Sequence, residues 1–207
     1  MAVLPAGLGA IMRVRLVYSK RGGACFVPHI ALAQIFARSA LRAGFMPEMT
    51  QGFSPRARLS FAPELPAGVV ALNEPVDMYF SGNPDVSAEA MNAALPEGFR
   101  VSQVLFPAEN SPSLGKSCTH AEYFIRNTLG IDILDTAKCF YGSSVLKAEY
   151  LNGWIRLILN EPAQNPIGKL IKHIIAQNLI TGWHQVNIVR SHIGSYDQQK
   201  DCVFIHE

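Results

Sequence analysis

Arg13 and Arg15, Lys20 and Arg21, and Arg56 and Arg58 are the residues whose types and spacing best suit a chemical task, and that task is holding an anion. Arginine grips phosphate or carboxylate through a planar two-pronged fork, and seven of the eight basic residues between 12 and 62 are arginines. Each cluster adjoins a turn. Lys20 and Arg21 lead into Gly22-Gly23, while Arg56 and Arg58 follow Gln51-Gly52-Phe53-Ser54-Pro55. Backbone N–H groups of that second turn and the Ser54 hydroxyl can face an anion in the manner of a nest, although glycine and proline serve equally well as a plain entry into a strand. The candidate ligand-binding set is therefore Arg13, Arg15, Lys20, Arg21, Gln51, Gly52, Ser54, Arg56 and Arg58. His29 is the one candidate for acid–base work near neutral pH; its alternative is a capping or packing role, and the dipole of a helix starting there disfavours the imidazolium. The remaining histidines show no HxxxH or HxxE spacing, and no Walker, Rossmann, GxSxG or HExxH pattern occurs. Binding is favoured over catalysis.

Charge is segregated along the chain. Residues 12–62 hold eight Lys/Arg and one acid, a net +7, whereas the rest carries −5, so the whole is nearly neutral at +2. Such segregation makes a local field able to concentrate a polyanion; the alternative is a solvated face or an interface neutralised by acids of the other half, Glu122 or Glu149. The four cysteines have no CxxC spacing, so no disulfide framework, metal or cofactor is expected, and a reducing cytoplasm is the expected location. Apolar runs are too short to cross a bilayer. Residues 1–11 read as a loose leader.

Positioning these side chains requires strands and helices in a definite order. Val14, Leu16 and Tyr18 alternate with Arg13, Arg15 and Val17 as in a half-buried strand. Pro28 opens a helix in which Leu32, Ile35, Phe36 and Ala40 form the apolar face, Gln34, Arg38 and Arg42 a basic stripe, and Gly44 the stop. Strands are expected from Arg56 to Phe61, Pro75 to Phe80 and Phe99 to Phe106, with a helix from Asn83 to Leu95 between the last two. Arg13, Arg15, Arg56 and Arg58 would then share a sheet face with Asp77 and Tyr79, opposite the helices. Residues 108–118 read as a linker. Beyond it the order repeats: strand 120–127, helix 133–140, a hairpin turning at Leu151-Asn152-Gly153, a helix from Asn165-Pro166 with its Ile167, Leu170, Ile171, Ile174 and Ile175 stripe, and a strand 185–190. The expected fold is α+β, two ferredoxin-like βαββαβ halves in tandem at 12–107 and 119–207, each an antiparallel sheet with helices on one face.

Tyr18-Ser19-Lys20-Arg21-Gly22, Phe26-Val27-Pro28-His29-Ile30-Ala31-Leu32, Gln51-Gly52-Phe53-Ser54-Pro55, Leu59-Ser60-Phe61, Leu65-Pro66-Ala67-Gly68 and Asn92-Ala93-Ala94-Leu95-Pro96-Glu97-Gly98 resemble, in that order, motifs of the radical-SAM-linked bacterial family DUF2344. The resemblance implies a radical SAM protein as partner. It also implies a role beside that enzyme, since no cysteine triplet for an iron–sulfur cluster is present. The family's Ser-His-Leu-Asp-Leu appears here as Pro28-His29-Ile30-Ala31-Leu32, which keeps the histidine and lacks the serine and the acid that could orient it. The reading that follows is an accessory module binding RNA or another polyanion. Its alternatives are a docking subunit for the radical SAM partner and a metal-independent ribonuclease, the last by fold analogy with CRISPR repeat-processing endonucleases.

Overall fold

Alternation of Val14, Leu16 and Tyr18 with arginines produces strand β1 (Ile11–Lys20), and the three apolar side chains lie under helix α1 (His29–Arg42), whose Leu32, Phe36 and Ala40 are buried against them. The computed structural model describes residues 11–206; the expected leader, apart from Ile11, lies outside the described residues. Strands β2 (Leu59–Phe61) and β3 (Val70–Ser81), helix α2 (Ala88–Ala94) and strand β4 (Phe99–Leu105) complete the first half. Ser87 caps α2 by accepting a hydrogen bond from the Ala90 N–H. Asn92 on α2 clamps the backbone of β4, donating to the Val101 carbonyl at 2.9 Å and accepting from its N–H at 2.7 Å.

The second half runs β5 (His120–Asn127), α4 (Leu134–Tyr141), β6 (Val145–Leu151), β7 (Trp154–Asn160), α5 (Ile167–Ala176) and β8 (Val186–Asp197), ending in a short β9 (Cys202–Phe204). Asn152 and Gly153 both adopt positive φ, as a tight hairpin between β6 and β7 requires. The product is a mixed α/β protein with, among the described residues, five α-helices and a large, mainly antiparallel sheet in the order β4-β1-β3-β8-β5-β7-β6, with β2 beside β3 and β9 beside β8.

Three expectations change. The segment 108–118 contains a helical turn, α3 (Leu114–Ser117), and Leu114 and Cys118 are buried in the second core, so this stretch is packed protein. The strand expected from Arg56 begins only at Leu59. Arg56 O and the Arg58 N–H instead bond back to the Thr50 N–H and Glu48 O, each at 2.7 Å, which folds residues 47–58 into a two-stranded arm. The sheets of the two halves are also continuous, because β3 pairs in parallel with β8 at Val70↔Val189 and Ala71↔Arg190.

That junction is narrow and is bolted on both faces. On the helix side, Arg190 lies beside Tyr123 and Glu74 beside Tyr18. Arg190 donates to both oxygens of Glu74 at 2.7 and 2.6 Å and to the Pro63 carbonyl at 3.0 Å, entirely out of water. On the other side Asn73 donates to the Ser191 carbonyl at 2.9 Å and meets His192 Nε2 at 3.1 Å. Ala62, Leu65, Val69 and Ala71, all from the first half, belong to the core of the second half.

Candidate functional site

Two walls create a wide concavity. One is the outer face of α1, where Ile30, Ala33, Ala37 and Leu41 recur at helical spacing opposite the buried stripe. The other is the arm and the residue that leads into it, contributing Met46, Pro47, Met49, Pro55 and Ala57. Between them lies a groove of about 1000 Å³. Ile30, Leu41, Met46 and Met49 are exposed in it, and Phe53 at the arm's tip is fully exposed. Glu48 N donates to the Tyr79 carbonyl at 2.7 Å and the Tyr79 N–H donates to Arg58 O at 3.2 Å, fixing the arm to the end of β3.

Arg38 and Arg56 lie on the groove and Arg42 stands one turn beyond Arg38. Among the described residues none of the three has an acidic partner. Arg58 stacks its guanidinium over Tyr79, 4.1 Å from the ring centre. The acid within the groove, Glu48, accepts a hydrogen bond from the Ser81 hydroxyl. Gln51, Gly52 and Ser54 sit with Phe53 on the exposed tip, and Gly52 uses a φ of +133° there.

Arg13 and Arg15 do not join this group as an open basic face. Arg15 is buried and forked onto Asp77, with Nε and Nη2 donating at 2.7 and 3.0 Å, while its Nη1 donates to the His206 carbonyl at 2.7 Å. Arg13 donates from Nη1 to the Ser111 carbonyl at 3.0 Å, and its Nε lies 3.9 Å from Asp77. The loop after β4 and the chain's last described residues thus meet that sheet face. Glu122 and Glu149, expected as neutralising acids, pair with Arg156 instead.

Lys20 and His29 lie elsewhere again, at the junction of the halves, where they line a cavity of about 10 Å³ together with Tyr18, Phe61, Glu74 and Arg190. This is room for one water. Lys20 is buried, and among the described residues its ammonium has one hydrogen bond, to the Val27 carbonyl at 3.4 Å. Burial lowers its pKa, as it does that of His29, whose ring packs edge-on against Phe61. Arg21 is exposed beside the cavity's turn. The nine residues expected to bind one anion are therefore split among the groove and arm tip, the covered sheet face and the junction.

Two features escaped the sequence reading. One is the second apolar line of α1, at positions 30, 33, 37 and 41, which runs beside the expected basic stripe of Gln34, Arg38 and Arg42. The other is the network around Glu122, which accepts from Arg156 Nε at 2.7 Å and Ser191 Oγ at 2.5 Å and meets His192 Nδ1 at 3.2 Å. Burial pushes its carboxyl up, but these hydrogen bonds prevail and hold it at about 2. No group of three or more metal-ligating side chains is found among the described residues.

These features define a mixed α/β protein with an apolar groove bordered by arginines that have no acidic partner among the described residues. Residues 13–172, reaching through both halves into α5, match the family described as an uncharacterized protein conserved in bacteria (DUF2344), and the chain belongs to that family. No curated protein matches it.

Proposed function

We propose that this chain is an accessory docking subunit for a radical SAM enzyme, built as two ferredoxin-like halves fused through one sheet, with the groove between α1 and the arm receiving the partner. The observation that carries the docking reading is the groove itself: aliphatic and methionine side chains exposed on two facing elements, with the arginines confined to its edges. An exposed apolar groove rimmed by polar residues is a feature of surfaces that receive a partner or ligand. The fold reading is supported by strand orders β4-β1-β3-β2 and β8-β5-β7-β6, the same permutation in each half. The partner's identity rests on the family resemblance. Four free thiols suit a cytoplasmic setting, and no described helix is long and apolar enough to cross a membrane.

Binding of RNA or another polyanion is the second reading, favoured by the exposed ring of Phe53 at the tip of the arm that carries Arg56, and by the exposed guanidinium groups of Arg38 and Arg42 on α1. The ribonuclease reading has less support, since His29 has no hydrogen-bonded acid or base partner among the described residues. Co-expression with the radical SAM protein of the same cells separates these. Co-elution at a protein-like 260/280 ratio, lost in Ala37→Arg and Met49→Asp, supports docking. Co-purified RNA released steeply by salt, with no radical SAM protein bound, supports the polyanion reading.

A further inference from the structure

We infer that the groove's occupant is an acidic amphipathic helix of about three turns, an inference that rests on the docking reading above and specifies the partner's chemistry. The lined stretch of α1 runs from Ile30 to Leu41, about 17 Å at 1.5 Å per residue, which is the length of a helix of that size. Its middle is made of Ala33 and Ala37, one turn apart, with Ile30 and Leu41 at the ends. Small residues there let a second helix approach closely, while the larger ones close the ends of the seat. Opposite stand Met46 and Met49, whose unbranched side chains adapt to an incoming apolar ridge. An amphipathic helix in an apolar groove is a common way for one protein to read a segment of another.

Charge selects the sign of that helix. Arg38 and Arg56 flank the apolar floor and Arg42 follows along α1, all exposed and without an acidic partner among the described residues, whereas the Glu48 carboxylate is already engaged by Ser81. Carboxylates along the edges of a bound helix would meet these guanidinium groups. A second copy of this chain would bring the same arginines against one another, so self-association through the groove is disfavoured. A nucleic acid would find charge at the edges but a floor of aliphatic side chains, on which bases do not stack as they do on aromatic rings.

The test uses the full chain and two fluorescein-labelled peptides of about 14 residues, long enough to span the groove. Both place leucines at alternating three- and four-residue spacing on one face; one carries glutamates on its flanks, the other lysines. Anisotropy titrations at low salt are expected to show the acidic peptide binding at least about tenfold more tightly than the basic one, with the difference shrinking as salt is raised. Ala37→Trp, which fills the floor, and Met49→Asp on the exposed arm should each weaken the acidic peptide. The double variant Arg38→Glu/Arg56→Glu should reverse the preference. Circular dichroism confirms that each variant is folded.

Equal binding of both peptides, or tighter binding of the basic one, overturns the inference, as does a groove-dependent dimer in sedimentation or competition by an RNA oligonucleotide. If the radical SAM protein co-elutes and the acidic peptide does not bind, the docking reading survives and the choice of occupant fails. If the acidic peptide binds in the groove and the radical SAM protein does not co-elute, the occupant stands and the partner was misassigned.

Discussion

Arg190 and Glu74 form a pair that is stabilising only while both are present. Removing Arg190 strips a buried carboxylate of its hydrogen-bonded counter-charge and leaves Lys20 as a cation in the same cavity; breaking such a pair typically costs about 3–5 kcal/mol, whereas replacing both partners with apolar side chains of similar volume is often neutral. Arg190→Met is therefore expected to lower the urea midpoint sharply, and Arg190→Met/Glu74→Leu to recover most of the loss. Lys20 is the opposite case. It is buried with one long hydrogen bond, and burial already lowers its pKa, so its charged form strains the fold. Lys20→Met should raise stability by about 1 kcal/mol, seen as about 2–4 °C in melting temperature. A fall in melting temperature would mean that Lys20 has a partner in the cavity, such as a bound water or anion. Glu122 gives a pH signature. Its carboxyl is held at about 2, below the ordinary 4.5, so the folded state binds its proton less readily than the unfolded chain does. The stability it contributes is complete above about pH 4.5 and disappears as the pH falls towards about 2. Glu122→Gln should thus be less stable than the parent at neutral pH, and the gap in urea midpoint should narrow on acidification through that window.

Elements whose role is local packing were readable from periodicity, and those whose role is long-range closure were not. Strand β5 matches its expected limits, and the starts of α1 and of the 151–153 turn follow from proline and Asn-Gly chemistry that acts within a few residues. The arginines of β1 misled because alternation reveals that they share a face but not what covers it. Register places Asp77 opposite Arg15, and residues as distant as Ser111 and His206 accept their remaining hydrogen bonds. Nor could spacing disclose that Glu74 meets Arg190, 116 positions away. The short strand β9 is another such closure, held close to β8 by the absence of a side chain at Gly194. A Cβ there would lie 1.9 Å from the Phe204 carbonyl oxygen. Gly194→Ala is accordingly expected to displace β9 and uncover the half-buried Cys202. In a Cys139→Ser background, which removes the exposed thiol, the rate of thiol labelling should rise while far-UV dichroism changes little; an unchanged rate would show that β9 stays in place.

At the scale of the molecule, the shared sheet is expected to make the two halves one cooperative unit, although β3 and β8 pair at two positions. The side chains extend the junction well beyond its backbone contacts, since Ala62, Leu65, Val69 and Ala71 complete the far core and the Glu74–Arg190 pair is shielded by both. A lesion in the first half must then be felt in the second. Gly98 supplies one, because φ is +86° and a Cβ would sit 2.6 Å from the Arg21 carbonyl oxygen and 2.7 Å from the Ala24 Cβ. Gly98→Ala should cost more than about 1 kcal/mol, the usual bound where alanine fits poorly. Both tryptophans, Trp154 and Trp183, lie in the second half, so their fluorescence reports chiefly its unfolding. One transition, shifted to lower urea for the tryptophan signal and for far-UV dichroism alike, is the expected result. If tryptophan unfolding stays at the parent midpoint while the dichroism divides into two steps, the halves are independent and the junction is a tether. The groove, which lies wholly on the first half, would then be free of the second half's stability; under the single transition, partner binding there stabilises the whole chain by mass action.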